Sequence, residues 1–246
     1  MVSETAQLVR RVHPVPVAMV CDQLTLLLEA FPVVALKTGM LVSAAHVRAV
    51  ARILQDHRRL QLVVDPVMIA SSGAELLEPG ALAAYRKWLL PMARVITPNL
   101  PEAEALLGER ITDEASLESA ARRLSQQFGT AVLLKGGHLP GPDCLDVLVD
   151  QGELHRFRVR RVAVGASHGT GCTLSAAITA ALAQGQALPC AVQHAKTYLT
   201  QTLLQSYTFA APGGGLLHAL NQGTRLENPS PAKTMRDSLP EIPTLA

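Results

Sequence analysis

The sequence predicts an α/β fold in which a mostly parallel central sheet is covered by helices on both faces. Two observations predict it. Short apolar runs alternate with longer segments of helical period along the 246 residues. Hydrophobic residues make up 48% of the chain and charged residues 17%, and the mean hydropathy is +0.22, so the chain can bury a sizeable core. Strands buried on both faces have such short apolar runs, and connecting helices cover them.

The predicted elements follow in order along the chain. Residues 14–30 place Val17, Val20 and Leu24 near one face of a first helix, and Ser43 can cap a second helix around Val47 and Val50. The predicted strands cover residues 32–37, 60–65, 94–97, 131–135, 145–150 and 154–159, the last two as an antiparallel hairpin. The further predicted helices cover residues 79–90, 101–107, 113–128, 170–184 and 188 to about 207.

Composition excludes several classes of function. The net charge is only +2, Lys and Arg are scattered, and aromatic residues make up 3%, which argues against a nucleic-acid partner. No apolar run reaches the roughly 18 residues that span a bilayer, and no signal peptide opens the chain. Cys21, Cys144, Cys172 and Cys190 lie far apart, so we expect reduced thiols and a cytoplasmic protein. We interpret Cys21, Cys144 and Cys190 as small buried hydrophobes.

Polar residues and glycines follow four of the predicted strands. In a parallel sheet, ligands bind beyond the carboxyl ends of the strands. The segments at these ends are Lys37-Thr-Gly-Met-Leu41, Asp65-Pro-Val-Met68, Thr97-Pro-Asn-Leu-Pro-Glu102 and Lys135-Gly-Gly-His-Leu139. Together they predict a polar rim on an apolar scaffold.

A glycine-rich turn before the helix at residue 170 is the sharpest signal. Gly169 and Gly171 flank Thr170, and Cys172 lies in the first helical turn. Backbone N–H groups and the helix dipole favour an anion at such a turn, although glycine at an ordinary helix start explains the pattern equally well. The same position is expected to lower the pKa of the Cys172 thiol and make it a proton acceptor.

These segments, in this order and spacing, resemble a known family. K-T-G-M-L, V-D-P-V-M, T-P-N-L-P-E-A, L-K-G-G-H-L and H-G-T-G-C-T-L-S-A-A are similar to the hydroxymethylpyrimidine/phosphomethylpyrimidine kinases of thiamine biosynthesis, in the ribokinase-like superfamily. The resemblance covers about residues 7 to 208. It implies a three-layer α/β/α sandwich and ATP-dependent, Mg²⁺-assisted phosphorylation of 4-amino-5-hydroxymethyl-2-methylpyrimidine and of its monophosphate.

The resemblance also implies roles for individual residues. Gly169, Thr170 and Gly171 would form the anion hole for the transferring phosphoryl group, and Cys172 would take the proton of the substrate hydroxyl. Lys135 would be the cation beside the nucleotide phosphates. The remaining implied roles are magnesium organisation, largely through water, by Asn99, Glu102 and Asp65, and apolar contact with the pyrimidine by Met40 and Val67.

Each implied role has a structural alternative. Lys135 can be a solvated lysine at a strand end, and Glu102 can serve only to stabilise the start of its helix. Met40 and Val67 can be plain core residues. We interpret His138 and His168 as histidines of loops rather than as ligands. We expect a homodimer that binds a small pyrimidine, with neither nucleic acid nor membrane as partner.

The chain departs from the family pattern in two places. The family's first strand and its glycine-rich G-x-D-x-S-G-G-A-G turn have no counterpart, because residues 3–12 resemble the segment after the family's second strand. Either the start of the chain is misplaced, the explanation we favour, or the chain is a degenerate binding protein. We therefore expect the 246-residue chain to self-associate and to turn over slowly. Ser71 also stands where relatives commonly carry lysine.

Two further functions stay open on the sequence alone. A pyridoxal or pyridoxine kinase would phosphorylate a hydroxymethyl group on a related ring. A nucleotide- or pyrimidine-binding protein without turnover would keep the phosphate site and lose the chemistry. Residues 1–226 are expected to form a single domain, and residues 227–246, which contain Pro and Ser without apolar periodicity, a flexible tail.

Overall fold

A computed structural model describes residues 2–4, 9–69, 76–163, 166–210 and 215–224. The strands are β1 (Val2–Glu4), β2 (Val9–Val12), β3 (Ala35–Thr38), β4 (Gln61–Val64), β5 (Val95–Ile96), β6 (Ala131–Lys135), β7 (Asp143–Asp150), β8 (Glu153–Arg160), β9 (Ala166–Ser167), β10 (Tyr207–Ala210) and β11 (Leu216–Ala219). The helices are α1 (Val17–Ala30), α2 (Ala44–Leu54), α3 (Ala81–Ala84), α4 (Leu100–Leu107), α5 (Glu114–Phe128), α6 (Thr170–Ala183) and α7 (Leu188–Leu204).

The central sheet has six strands in the order β3-β4-β5-β6-β7-β8. The pairs from β3 to β6 are parallel, and β7 and β8 join as the antiparallel hairpin that the sequence predicts. Two short sheets lie outside it: the hairpin β1-β2 and the three-stranded β10-β11-β9. The predicted mostly parallel α/β architecture is confirmed.

Two hydrophobic clusters pack on opposite faces of this sheet. One contains side chains of α2, α4 and α5 against β4 residues such as Leu62 and Val64. The other contains α6 and α7 against Val63, Val95 and Leu133. Because side chains alternate along a strand, neighbouring valines of β4 enter different clusters. The result is the three-layer arrangement of helices, sheet and helices that the sequence predicts.

Local sequence explains where several elements begin and turn. The Ser43 side chain accepts a hydrogen bond from the backbone N–H of His46 at the start of α2, as predicted. Gln151 and Gly152 connect β7 to β8, and Gln151 has a positive φ of 51°. Two consecutive residues of positive φ match a type I′ turn, which suits the twist of a two-residue hairpin.

The structure corrects two predicted helix ends. The helix expected over residues 79–90 is the short α3 followed by a π-helical turn at Tyr85–Leu89 and a 3₁₀ turn at Leu90–Met92. The helix expected to reach Tyr207 ends at Leu204, and Tyr207 starts β10 instead. The strands β1, β2, β9, β10 and β11 were not predicted. The predicted tail and Ser71 lie outside the described residues.

The strand β3 lies at one edge of the central sheet, and the helix α1, which comes before it in the chain, leaves much of its apolar surface exposed. Leu26 and Leu27 of α1, Phe31 after it, and Val34 before β3 are all more than half exposed. A large exposed apolar patch beside an open strand edge favours association with another surface. Within the described residues, no helix combines the length and apolar character needed to cross a membrane.

Candidate active site

The carboxyl ends of the central strands bring a row of polar side chains onto one face of the sheet. Lys37 of β3 is paired in register with Val63 of β4, and Val63 with Val95 of β5. Those valines face α6 and α7. Because alternate residues share a face, Asp65 and Thr97, two residues beyond the valines, lie on that same face. The sequence prediction of a polar rim at the strand ends is thus realised in the geometry.

A buried ion pair between Asp65 and Lys135 lies at the centre of this row. The Lys135 Nζ atom is 3.0 Å from Asp65 Oδ1, and the side chains are 13% and 2% exposed. The Thr97 hydroxyl also donates to Oδ1 at 3.1 Å, and the Ser175 hydroxyl of α6 to Oδ2 at 3.3 Å. Burial acts to lower the pKa of Lys135, but the attraction of Asp65 and Glu102 outweighs it and raises the pKa, so the ammonium stays charged.

The amino terminus of α6 lies against this ion pair. Gly169 precedes the helix with a left-handed φ of 84°, which favours glycine, and no side chain caps the helix. A Cβ atom built on Gly171 would lie 3.0 Å from Lys135 Nζ and 3.7 Å from Asp65 Oδ2, so a larger residue here would press on the Lys135 ammonium. The first N–H groups of an uncapped helix are free to bind an anion. Gly169, Thr170 and Gly171 therefore lie where Lys135 supplies a positive charge.

The sequence prediction for the Cys172 thiol is wrong in direction. Cys172 lies in the first turn of α6 and reaches solvent. Protein atoms around the sulfur nevertheless remove water from it, and this desolvation raises the pKa above its usual value. The Asp65 carboxylate raises the pKa further, while Lys37 and Lys135 act in the opposite direction. Desolvation and a nearby carboxylate thus outweigh the two lysines.

Asn99 and Glu102 form a capping box at the start of α4. The Asn99 side chain accepts from the Glu102 N–H at 3.0 Å, and Glu102 Oε2 accepts from the Asn99 N–H at 2.8 Å. Glu102 Oε1 accepts from the Met68 N–H at 3.4 Å. This arrangement is the helix-stabilising alternative that the sequence left open.

The Glu102 carboxyl is also electrostatically coupled to the ion pair. Burial raises the pKa of Glu102 to about 7, Lys135 lowers it, and Asp65 raises it. A buried carboxyl group whose pKa lies near neutral pH, beside a charged pair, is a candidate for a functional group. Glu102 thus combines a capping role with a place in the site.

Met40 and Val67, the predicted pyrimidine contacts, both lie just beyond strand ends. Each is half-buried, and neither packs into the two hydrophobic clusters formed by the described residues. Their position disfavours the alternative that they are plain core residues. An apolar side chain that is partly exposed beside a polar row can contact a flat ring.

Several residues beside the site were not singled out from the sequence. Lys37 makes no ion pair with another described residue, and its positive charge acts to lower the pKa of the Cys172 thiol. Ser175 and Thr97 hold the Asp65 carboxylate. Both belong to segments noted in the sequence, but serine and threonine are too common at helix and strand ends to signal such a contact by themselves.

Two other features bear on the sequence predictions. His168 lies 3.2 Å from the Glu4 carboxylate of β1, which connects the amino-terminal hairpin to the glycine turn and agrees with its interpretation as a loop histidine. Cys190 is exposed, so its interpretation as a buried hydrophobe is wrong, and Cys21 and Cys144 are half-buried.

Metal ligation by protein side chains alone is not supported by the described part of the chain. There, His, Cys, Asp and Glu form no cluster of three or more that could hold an ion.

A cavity also lies at the opposite end of the sheet and contains none of the candidate site residues. It is lined by Leu54, His57, Arg58, Leu60, Leu62, Pro91 and Met92.

Comparison with known proteins gives one consistent family. The sequence profile described as phosphomethylpyrimidine kinase matches residues 1–215. The chain is 44% identical over 209 residues to the thiamine biosynthesis bifunctional protein ThiED of Geobacter sulfurreducens, covering 85% of this chain and 43% of that protein. It is 42% identical over 196 residues to the hydroxymethylpyrimidine/phosphomethylpyrimidine kinase of Haemophilus influenzae, covering 78% of this chain and 73% of that kinase. The chain therefore spans less than half of the bifunctional relative and about three quarters of the single kinase.

Solved structures are similar over most of the chain. A phosphomethylpyrimidine kinase from Clostridium difficile superimposes with a TM-score of 0.71 at 34% identity, covering 81% of this chain and 82% of that one. The pyridoxal kinase from Staphylococcus aureus in complex with AMP-PCP gives a TM-score of 0.79 at 29% identity, covering 90% and 80%.

Proposed function

The chain belongs to the phosphomethylpyrimidine kinase family, and we propose that it transfers a phosphoryl group from ATP to 4-amino-5-hydroxymethyl-2-methylpyrimidine and to its monophosphate. The observation that carries the proposal is the buried Asp65–Lys135 pair against the amino terminus of α6, which no side chain of the described residues caps. Relatives that share 42–44% identity are named for this reaction or for thiamine biosynthesis. The fold is the ribokinase-like α/β fold of these kinases.

Phosphoryl transfer needs the kind of charges that this site offers. Negative charge spreads over the equatorial oxygens of the transferring group, so oriented N–H groups and a cation supply most of the stabilisation. In the proposal, the N–H groups at Gly169, Thr170 and Gly171 receive that group. Lys135 holds the nucleotide phosphates, and it is already charged and oriented by Asp65 before any ligand arrives.

Cys172 is proposed to take the proton from the hydroxyl group of the substrate. Its raised pKa means that only a small fraction is thiolate at neutral pH. The proton leaves late in a loose transition state, so a weakly populated base is sufficient. Because the thiolate fraction grows with pH, kcat/KM is expected to rise as the pH approaches the raised pKa of Cys172.

Magnesium is proposed to bind at Asp65 and Glu102 largely through water, with Asn99 shaping the loop. Mg²⁺ commonly keeps several waters and uses one or two carboxylates together with substrate phosphates. The residues fit this mode, because the Asp65 carboxylate raises the pKa of Glu102, and a cation between the two groups would relieve that repulsion. Direct ligation is disfavoured, because each carboxylate already accepts hydrogen bonds from protein donors. When bound, the ion would neutralise charge on the nucleotide phosphates.

The test offers hydroxymethylpyrimidine, its monophosphate and pyridoxine separately with ATP and Mg²⁺, and measures both ADP release and the phosphorylated product. We expect phosphorylation of both pyrimidines, and a weaker affinity for ATP in Lys135→Ala. The matched control is Lys87→Ala, which alters an exposed lysine on the other helical layer. Unchanged ATP titrations in Lys135→Ala would show that the nucleotide site is assigned wrongly.

A pyridoxal or pyridoxine kinase is the second candidate, favoured by the TM-score of 0.79 to the Staphylococcus aureus pyridoxal kinase. Faster turnover of pyridoxine than of hydroxymethylpyrimidine in the same assay would support it. A binding protein without turnover would instead be stabilised by ligand against heat and release no ADP.

We propose further that residues 1–226 act as one domain, that the protein functions as a cytoplasmic homodimer, and that Met40 and Val67 contact the pyrimidine. The exposed apolar residues of α1 support the dimer, since they offer a surface for a second copy. Analytical ultracentrifugation tests the dimer directly.

A further inference from the structure

A second buried ion pair lies beside the proposed active site and connects β7 to α7. The Lys196 Nζ atom of α7 is 2.5 Å from Asp146 Oδ2 of β7, and the Lys196 side chain is 4% exposed. Lys196 also donates to the Cys144 carbonyl at 3.3 Å. A buried ion pair is costly to desolvate, and apolar residues of similar volume often stabilise a core as well or better. We therefore expect the pair to have a role other than packing.

The second oxygen of the Asp146 carboxylate holds the turn that comes after Lys135. Asp146 Oδ1 accepts from the backbone N–H of Gly136 at 3.0 Å. A Cβ atom built on Gly136 would lie 2.1 Å from the Leu145 carbonyl oxygen, so the turn is pressed against β7 and only glycine fits. Further along this loop, the Arg161 guanidinium binds backbone carbonyls. Asp146 thus holds the end of the loop nearest to Lys135.

Lys135 itself is attracted by Asp65 and Glu102 and, more weakly, by Asp146. Asp146 is its direct partner in the antiparallel register of β6 and β7, so the two side chains share a face of the sheet. The Lys135 ammonium nevertheless binds Asp65, while Lys196 binds Asp146. Without Lys196, the Asp146 carboxylate would be buried without a cation bound to it, with the Lys135 side chain as its cross-strand neighbour.

We propose that Asp146 and Lys196 are positioning residues for Lys135. Asp146 fixes the Gly136 backbone, and Lys196 neutralises Asp146 so that Lys135 stays directed at Asp65 and the amino terminus of α6. This inference rests on the proposed function only in assigning Lys135 to the nucleotide phosphates. The placement of Lys135 can be measured without any substrate.

The first experiment uses the Cys172 thiol as a reporter of the Lys135 ammonium. A cation near the sulfur favours the thiolate and speeds alkylation by iodoacetamide. In Lys196→Met, Lys135 is drawn toward the bare Asp146 carboxylate, so the rate at Cys172, measured by site-resolved mass spectrometry at pH 8, should fall by about threefold or more. The double variant Asp146→Asn/Lys196→Met removes that carboxylate and should restore the rate to within about twofold of the parent chain.

The second experiment measures ADP binding by calorimetry in two variants of one residue. Asp146→Ala and Asp146→Asn both remove the charge, but only the asparagine keeps an oxygen for the Gly136 N–H. We expect the alanine variant to bind ADP about tenfold more weakly, the effect of a lost hydrogen bond near a charged group, and to alkylate more slowly at Cys172. Both variants leave Lys196 without its carboxylate, so the asparagine variant should bind ADP and react at Cys172 more like the parent chain than the alanine variant does. Lys87→Met is the control for loss of a lysine elsewhere.

The outcomes separate the inference from the proposed function. Loss of alkylation rate in Lys196→Met with recovery in the double variant supports the inference, and an unchanged rate or a double variant as slow as the single one overturns it. If Lys196→Met does not fold, the comparison of Asp146→Ala with Asp146→Asn decides, and identical behaviour of the two overturns the inference. A parent chain that binds no ADP refutes the proposed function, while the alkylation rates still decide the roles of Asp146 and Lys196.

Discussion

The Glu102 carboxyl provides a pH-dependent test of the site that needs no substrate. Burial raises its pKa from 4.5 to about 7, so in this interval the folded chain holds a proton that the unfolded chain releases. Folding is therefore favoured at low pH, and this contribution is lost as the pH rises through about 7. A tenfold change in the proton affinity of one group corresponds to about 1.4 kcal/mol. The free energy of unfolding should therefore fall by about 3 kcal/mol between pH 4.5 and pH 8 because of Glu102 alone.

Glu102→Gln stays uncharged at every pH and should remove this dependence. The variant also loses one acceptor for the N–H groups of Asn99 and Met68, which costs about 1–2 kcal/mol at all pH values. Hence we expect the variant to be less stable than the parent chain at pH 5 and equally or more stable at pH 8. Urea unfolding monitored by circular dichroism over this range measures the crossing, with the exposed Glu29→Gln as control. If the free energy of unfolding changes with pH in the same way in the parent chain and in Glu102→Gln, the pKa of Glu102 is not raised by folding and the prediction is refuted.

Three other parts of the structure give further predictions. Cys172→Ala should lower kcat by about 10²-fold or more with little change in ATP affinity, measured by initial rates, and an unchanged kcat would remove Cys172 from the chemistry. Gln151→Asn should stabilise the chain by about 0.5 kcal/mol, seen as a higher Tm, because asparagine tolerates the positive φ of this type I′ turn better than glutamine. Leu27→Glu on the exposed face of α1 should reduce concentration-dependent self-association in sedimentation velocity, and an unchanged distribution would place the contact elsewhere.

The parallel strands of the central sheet could be predicted because they are short, mostly apolar runs, and the β7-β8 hairpin because Gln151 and Gly152 separate two strand-like segments. Ala131–Lys135 matches its predicted bounds, and the other central strands shift by a few residues. The strands outside the sheet have two to four residues and no periodic pattern, so nothing in their sequence distinguishes them from loops. Tyr207 was assigned to a helix because the apolar spacing of α7 continues to it, although the helix ends at Leu204.

The residues of the site were predictable to the extent that they occupy strand ends. Asp65 and Lys135 are far apart in sequence, and the sheet register alone brings them together, as the parallel order implies. The direction of the Cys172 pKa was not predictable, because it depends on desolvation and on Asp65 rather than on the local helix. Asp146 and Lys196 were missed because nothing in the sequence of β7 or of α7 marks them, and only the packing of β7 against α7 shows the contact.

The two lysine–carboxylate pairs of this face differ in a way that bears on their functions. The Lys135 side chain is 13% exposed and lies against the uncapped amino terminus of α6, so an anion arriving there can share the ammonium with Asp65. The Lys196 side chain is 4% exposed and lies between β7 and α7, where it binds the Asp146 carboxylate and a backbone carbonyl. Electrostatic stabilisation is strongest when the charges are oriented before the reaction begins, because no reorganisation is then required. The Asp146–Lys196 pair can fix the backbone of the turn, whereas Lys135 of the other pair can exchange its protein partner Asp65 for a phosphate. A site of this construction keeps the position of its cation while the ligand of that cation changes.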